Sequence, residues 1–207
     1  MSPPVSDLGI GIAVFVSTNI DDLFLLAAFF ADTRLRPLSI VIGQYLGIGA
    51  LVLVSALAAL LALDIPDGWV ALLGLVPLLL GISKLWALRV RTAGTQGDSE
   101  AHRFQDQEHT AERWLRSPML AVASVTVANG GDNVAVYVPL FATAFAAIAT
   151  YALTFAVLTG VWCALGYLLV NNTVLGDAVR HSGNVILPIV LVALGIYILS
   201  GALVLIR

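Results

Sequence analysis

The chain has 207 residues, 59% of them hydrophobic and only 11% charged, with a mean hydropathy of +0.97. A soluble domain carries about 25% charged residues, so long apolar runs with so few charges exclude a soluble fold and imply an integral membrane protein whose first partner is the lipid bilayer. The formal net charge of −3 says little by itself; no nucleic-acid partner is expected, and the single cysteine, Cys163, excludes an intrachain disulfide.

In chain order, the N-terminal Met1–Asp7 stretch has no Lys or Arg. It therefore lacks the basic region of a cleaved signal peptide, and the first apolar run is expected to be retained. A span needs about 20 mostly apolar residues, and six such runs are present: 8–30, 38–63, 68–88, 118–141, 147–170 and 184–206. The turn Asp32-Thr33-Arg34-Leu35-Arg36-Pro37 ends the first, Asp64-Ile65-Pro66-Asp67-Gly68 the second, and Asn171-Asn172-Thr173 the fifth; a barely polar stretch near Ala146–Thr150 joins the fourth and fifth. Between the third and fourth runs lies a charged loop, 89–117, with ten of the chain's 23 charged residues. Glu100, His102, Asp106 and His109 in it would form a weak metal-sensing cluster if the loop were helical; a solvated linker of mixed charge is the simpler reading. His181 reads as a loop residue.

Lys and Arg in short loops orient a bundle, with the positive side in the cytoplasm. With the N-terminus outside, Arg34, Arg36, Lys84, Arg89, Arg91, Arg103, Arg113, Arg116 and Arg180 are all cytoplasmic, and only Arg207 is not. Both termini are thus expected outside a cell membrane, inner or plasma, with loop 89–117 in the cytoplasm.

Two of the apolar runs contain polar strings. The first run carries Ser17-Thr18-Asn19-Ile20-Asp21-Asp22, and the fourth carries Ala128-Asn129-Gly130-Gly131-Asp132-Asn133. An ionisable group at membrane depth costs roughly 2.5–3.5 kcal/mol on insertion scales and marks an ion or proton path. Both strings contain Asn-x-x-Asp, 110 residues apart, near the middle of their runs. By that pattern Asp22 corresponds to Asp132, and Gly131 takes the place of Asp21. Three runs per half, each half opening on the same string, predict an all-α polytopic membrane protein with six transmembrane helices as two inverted three-helix repeats, 1–88 and 118–207, around the 89–117 loop. In such architectures substrate binds near the midplane where the repeats meet.

Residues three or four apart share a helix face. Asn19 and Asp22 then point one way, with Thr18 one turn before Asp22; Asn129, Asp132 and Asn133 share a face, with Thr126 one turn before. Asp21 and Asp22 are about 100° apart on a regular helix, so either the helix is locally unwound and both reach one site, or one of them faces a different neighbour. Gly130-Gly131 weakens the fourth run at its string, and Pro139 removes a further helical hydrogen bond. Carboxylate, amide and hydroxyl oxygens from the two strings suit a hard or borderline divalent cation. The candidate ligands are Asn19, Asp21, Asp22, Asn129, Asp132 and Asn133, with Thr18 and Thr126 as secondary candidates; Gln44 alone reads as interhelical glue, and Cys163 as a small buried apolar residue. The glycines Gly43, Gly47, Gly74, Gly81, Gly160, Gly166 and Gly195 read as sites of close helix approach.

At Thr18-Asn19-Ile20-Asp21-Asp22-Leu23, at Ala128-Asn129-Gly130-Gly131-Asp132-Asn133 with Val138-Pro139-Leu140-Phe141, and at Leu73–Pro77 through Gly81–Leu85, the chain resembles the cadmium-resistance transporters (CadD-type) of the lysine-exporter superfamily. The resemblance covers nearly the whole chain. It implies a six-span protein that exports cadmium or a related divalent ion, with the family's acidic and amide positions at the six residues named above. The ion is cargo; no cofactor is implied. No phosphate-cradling motif is present, so a secondary transporter is expected. Proton antiport fits, since intramembrane carboxylates can load protons and metal alternately. An exporter of small organic cations or amino acids is the alternative. A channel and an intramembrane aspartyl protease are weaker readings. The protease signature is Gly-x-Gly-Asp, whereas this chain reads Asn129-Gly130-Gly131-Asp132, so no enzymatic activity is expected. The sequence permits a homo-oligomer without requiring one.

Overall fold

A computed structural model of the protein describes residues 4–61, 67–91, 117–170, 189–190 and 192–200. Among these residues all regular structure is helical. The loop cluster of Glu100, His102, Asp106 and His109, the turn at 171–173, Arg180, His181 and much of the sixth run lie outside the described residues.

The first apolar run is two helices, α1 (Pro4–Thr18) and α2 (Ile20–Ala31), bent by 56° at Asn19. The cause is local. Ser17 Oγ donates to the carbonyls of Ala13 and Val14, Thr18 Oγ1 to that of Val14, and Asn19 Nδ2 to that of Phe15. Three successive side chains thus bond back to the last turn of α1, the competition with the backbone that bends or ends helices. After α2, Arg34 grips the Asp32 carboxylate with Nε and a terminal nitrogen, at 3.0 and 2.8 Å, and these bonds hold the Asp32 carboxyl below the usual carboxylate range.

The second run is the unbroken helix α3 (Pro37–Leu61). At 1.5 Å per residue its 25 residues cover the ~30 Å hydrocarbon thickness. The third run is less regular than expected. A short α4 (Asp67–Val70) passes through a 3₁₀ turn, Ala71–Gly74, into α5 (Leu75–Arg91). Pro77 then falls in the first turn of α5, where a missing N–H leaves no helical acceptor unserved. The fourth run is again two helices, α6 (Pro118–Asn129) and α7 (Gly131–Thr143), parted at Gly130. A 3₁₀ turn, Phe145–Ala147, leads to α8 (Ile148–Leu169). Residues 192–200 are helical.

By length and composition α3 and the stretch Phe145–Leu169 can each cross a membrane, and the bent pair α1–α2 makes a third span if taken as one. Exposed large side chains such as Leu61 (82%) and Leu153 (69%) cover their outer faces, as suits lipid rather than water.

Each long helix packs on the broken pair of the other half: α3 against α6 and α7, and α8 against α1 and α2. Glycines set the first contact. A Cβ at Gly43 would lie 2.6 Å from the Met119 carbonyl oxygen, and one at Gly47 would lie 2.6 Å from Thr126 Cβ. This small-x-x-x-small spacing lets backbones approach as they do in membrane bundles. Gly166 similarly meets Leu26, and Gly74 and Gly195 meet across the contact of the 3₁₀ turn and α5 with residues 192–200. Between the broken pairs and α8 lies an aromatic core of Phe15, Tyr137, Phe141, Tyr151 and Phe155, all at most 1% exposed, with ring centroids 4.7–6.5 Å apart.

Candidate functional site

The polar strings sit at the two helix breaks, and the packing brings the breaks together. Asn19 and Gly130 have similar backbone angles, φ −107°, ψ 16° and φ −78°, ψ 19°. Each is followed by an acid in the first turn of the next helix. There Asp21 Oδ1 accepts from the Asp22 N–H, and Asp132 Oδ1 from the Asn133 N–H, both at 3.1 Å. Counted from the breaks, α2 and α7 begin at Ile20 and Gly131, 111 residues apart. The motif spacing of 110 is therefore corrected by one: Asp21 holds the position of Asp132, and Asp22 that of Asn133. The motif misleads because Gly130, not Asn129, is the residue that leaves the helix.

Two groups of contacts form. The first centres on Asp22, which is 1% exposed. Its Oδ1 accepts from Asn129 Nδ2 at 2.7 Å and its Oδ2 from Gln44 Nε2 at 3.2 Å. Asn129 Nδ2 also reaches Asp21 Oδ2 at 3.1 Å, so one neutral NH₂ bridges two carboxylates. Gln44 is fixed in turn by Thr126, whose Oγ1 donates to Gln44 Oε1 at 2.7 Å. Asp21 and Asp22 thus reach a common partner despite their angular separation, because both lie in the first turn after the break.

The second group centres on Asn19, fully buried. Its Nδ2 faces the acceptors Phe15 O (2.9 Å), Tyr137 Oη (2.9 Å) and Thr18 Oγ1 (3.0 Å). A carbonyl can only accept, so Phe15 O fixes which end of the Asn19 amide is nitrogen. Asn19 Oδ1 consequently faces Asn133 and accepts from its Nδ2 at 3.1 Å. The order propagates: Asn133 Oδ1 is left as a buried acceptor with no hydrogen-bond partner among the described residues. Such an orphan costs about 1–3 kcal/mol, which marks it as a place for a donor or a cation. Trp162 Nε1 pins the Asn19 backbone carbonyl at 2.6 Å.

The structure thus joins Asp21, Asp22 and Asn129 in one group and Asn19 and Asn133 in the other. Thr126 and Thr18 act as their supports. Asp132 is held beside Asn133, and its charge and that of Asp21 both act on Asp22. Among the described residues no three His, Cys, Asp or Glu side chains are placed to hold a metal ion together. Amide oxygens would have to complete any cation site. Cys163 is buried in α8 and hydrogen-bonds to none of these residues. Three contributors escaped the sequence reading. Gln44 was legible as an intramembrane amide beside Gly43 but read as packing. Tyr137 lies one turn after Asn133 and so shares its face. For Trp162 the sequence carries no signal.

Carboxylates and amides thus meet where two broken helices come together, an arrangement whose oxygens could be offered to a cation. The model of the cadmium resistance transporter family matches residues 15–205, which takes in both strings and all of the contacts above. No curated protein and no solved structure matches the chain. This multi-pass membrane protein belongs to the cadmium resistance transporter family.

Proposed function

We propose that the chain exports a divalent metal cation, cadmium or a related ion, from the cytoplasm as a secondary transporter coupled to protons. The ion site is built from Asn19, Asp21, Asp22, Asn129, Asp132 and Asn133. The observation that carries this reading is Asp22: a carboxylate 1% exposed, whose side-chain partners among the described residues are two neutral amides and on which the charges of Asp21 and Asp132, also negative, act. Buried charge needs a counter-charge, and here a proton or a cation can supply it. Asn129 Nδ2 sits between Asp21 and Asp22, where a cation would gain most. Two carboxylates carry either two protons or one divalent ion, so exchange between them moves no net charge across the site.

Cadmium is soft and favours thiolate, yet the donors here are oxygens. Modest affinity serves an exporter, which must let its ion leave. The exchange of neighbours between the halves supports an inverted-repeat arrangement of six spans, and the placement of the basic residues supports both termini outside.

The test is purified protein in vesicles, supplied with a panel of divalent ions with and without a pH gradient. Metal flux that rises with the gradient is expected. Competition by amines or amino acids, with no metal flux, would favour an organic-cation exporter instead. In metal-stressed cells Asp22→Asn or Asp132→Asn is expected to abolish resistance; full resistance in both variants would count decisively against this site.

A further inference from the structure

Gln44 lies on α3, outside both polar strings, yet it decides what Asp22 can bind. It is 3% exposed. The ionised Asp22 carboxylate can only accept, so Gln44 turns Nε2 to it at 3.2 Å, and its Oε1 takes the Thr126 hydroxyl at 2.7 Å. With Asn129 on the other oxygen, Asp22 is flanked by N–H donors on both sides. Hydrogens there repel a cation. An amide that turns and offers its carbonyl oxygen changes from repelling a cation at Asp22 to ligating it. The Gln44 contact with Asp22, at 3.2 Å, is longer than that of Asn129, at 2.7 Å.

Thr126 makes such a turn inexpensive. Its Oγ1 also lies 3.1 Å from the Val122 carbonyl oxygen. One hydroxyl proton serves a single acceptor well, and it now points to Gln44 Oε1, the closer one. If the Gln44 amide turns over, Thr126 can donate to Val122 O and accept from Gln44 Nε2 through a lone pair. In both orientations Thr126 and the Gln44 atom that faces it keep a hydrogen bond, and in the turned one the metal takes the place of the N–H at Asp22. The terminal torsion of glutamine is broad and two-fold, so no backbone movement is required. Gly43 and Gly47, on either side of Gln44, keep α3 close enough to α6 for the pair to meet.

We propose that Gln44 is a switchable member of the ion site. It donates N–H to Asp22 when no metal is present and turns its carbonyl oxygen to the metal when one enters, with the Thr126 hydroxyl as pivot. This rests on Asp22 lying in the ion path.

The experiment is Cd²⁺ titration of purified, lipid-reconstituted protein by calorimetry, with thermal unfolding to check integrity. Gln44→Leu supplies an apolar side chain of similar bulk and offers no ligand atom; Gln44→Glu keeps an oxygen and cannot donate N–H to Asp22 when ionised. The switch predicts that Gln44→Leu weakens Cd²⁺ binding by about tenfold or more, and that Gln44→Glu binds at least as well as the wild type. A purely structural N–H donor predicts the reverse for Gln44→Leu: binding unchanged or tighter, because a competing donor has gone. That result overturns the proposal. Should Gln44→Leu fail to fold, isotope-edited infrared spectra of the wild type decide. A Cd²⁺-induced shift of a side-chain amide carbonyl band that is absent in Gln44→Glu supports the switch, and no shift rejects it. Asp22→Asn separates the two levels. If it loses binding while Gln44→Leu does not, only the switch falls; if it binds Cd²⁺ like the wild type, the site and the switch both fall.

Discussion

Amide orientation governs this site at the scale of single residues. Phe15 O dictates Asn19, Asn19 dictates Asn133, and Asp22 orients Gln44, with Thr126 as its second partner. Trp162 belongs to the same hierarchy, because its Nε1–H holds the carbonyl of the residue at the helix break. Trp162→Phe removes that donor and leaves a partly filled space. It is expected to lower stability by at least about 1 kcal/mol, read as an earlier thermal unfolding of detergent-solubilised protein; unfolding at the wild-type temperature would show that the bond does not hold the break. The acids and asparagines were legible in the sequence because ionisable and amide groups are rare at membrane depth. Their partners were not. A tyrosine or tryptophan in an apolar run has an ordinary packing use, and only tertiary contact reveals that Tyr137 and Trp162 also spend their polar atoms on Asn19.

Helices carry the next level of argument. Five of the six apolar runs coincide with described helices to within a few residues, and the sixth is described only in part. Apolar length is what periodicity reports best. The break in the fourth run was foreseeable from Gly130-Gly131, whereas that in the first was not: no glycine or proline marks it, and it arises from three side chains bonding backward at once. The one-residue slip between Asn-x-x-Asp and the helix starts has the same origin, since a motif records residue types and not where the backbone leaves the helix. Close approach of α3 and α6 is the element-level condition for the site. Gly47→Ala would drive a Cβ to 2.6 Å from Thr126 Cβ, while a Cβ at Gly49 meets nothing within 4 Å. Gly47→Ala is therefore expected to part Gln44 from Thr126 and to cut vesicle transport severely. Gly49→Ala, two residues on and facing outward, is expected to leave it within about twofold, since exposed helix glycines gain rather than lose from a methyl group. Equal transport by the two variants would mean that helix separation does not control the site.

Across the whole molecule the question is which way the bundle faces, because an exporter must collect its ion from the cytoplasm. Nine of the ten basic residues fall on one side under the proposed topology, and the rule that places them inside acts through short loops. The chain itself offers a clean test. Its one cysteine, Cys163, is 4% exposed within α8, so it provides a quiet background for labelling. Arg103→Cys places a reactive thiol in the central loop. A membrane-impermeant maleimide is expected to label it in inside-out vesicles and not in intact cells. A cysteine introduced at Ser2, ahead of α1, is expected to label in the opposite pattern. The two sites are separated by three of the proposed spans, an odd number, so opposite labelling requires an odd number of crossings between them. Labelling of both from the same side would require an even number and would break the inverted relation between the halves. Asp21 and Asp132 would then no longer be related by two halves entering the membrane from opposite faces, and their matching first-turn geometry would need another cause.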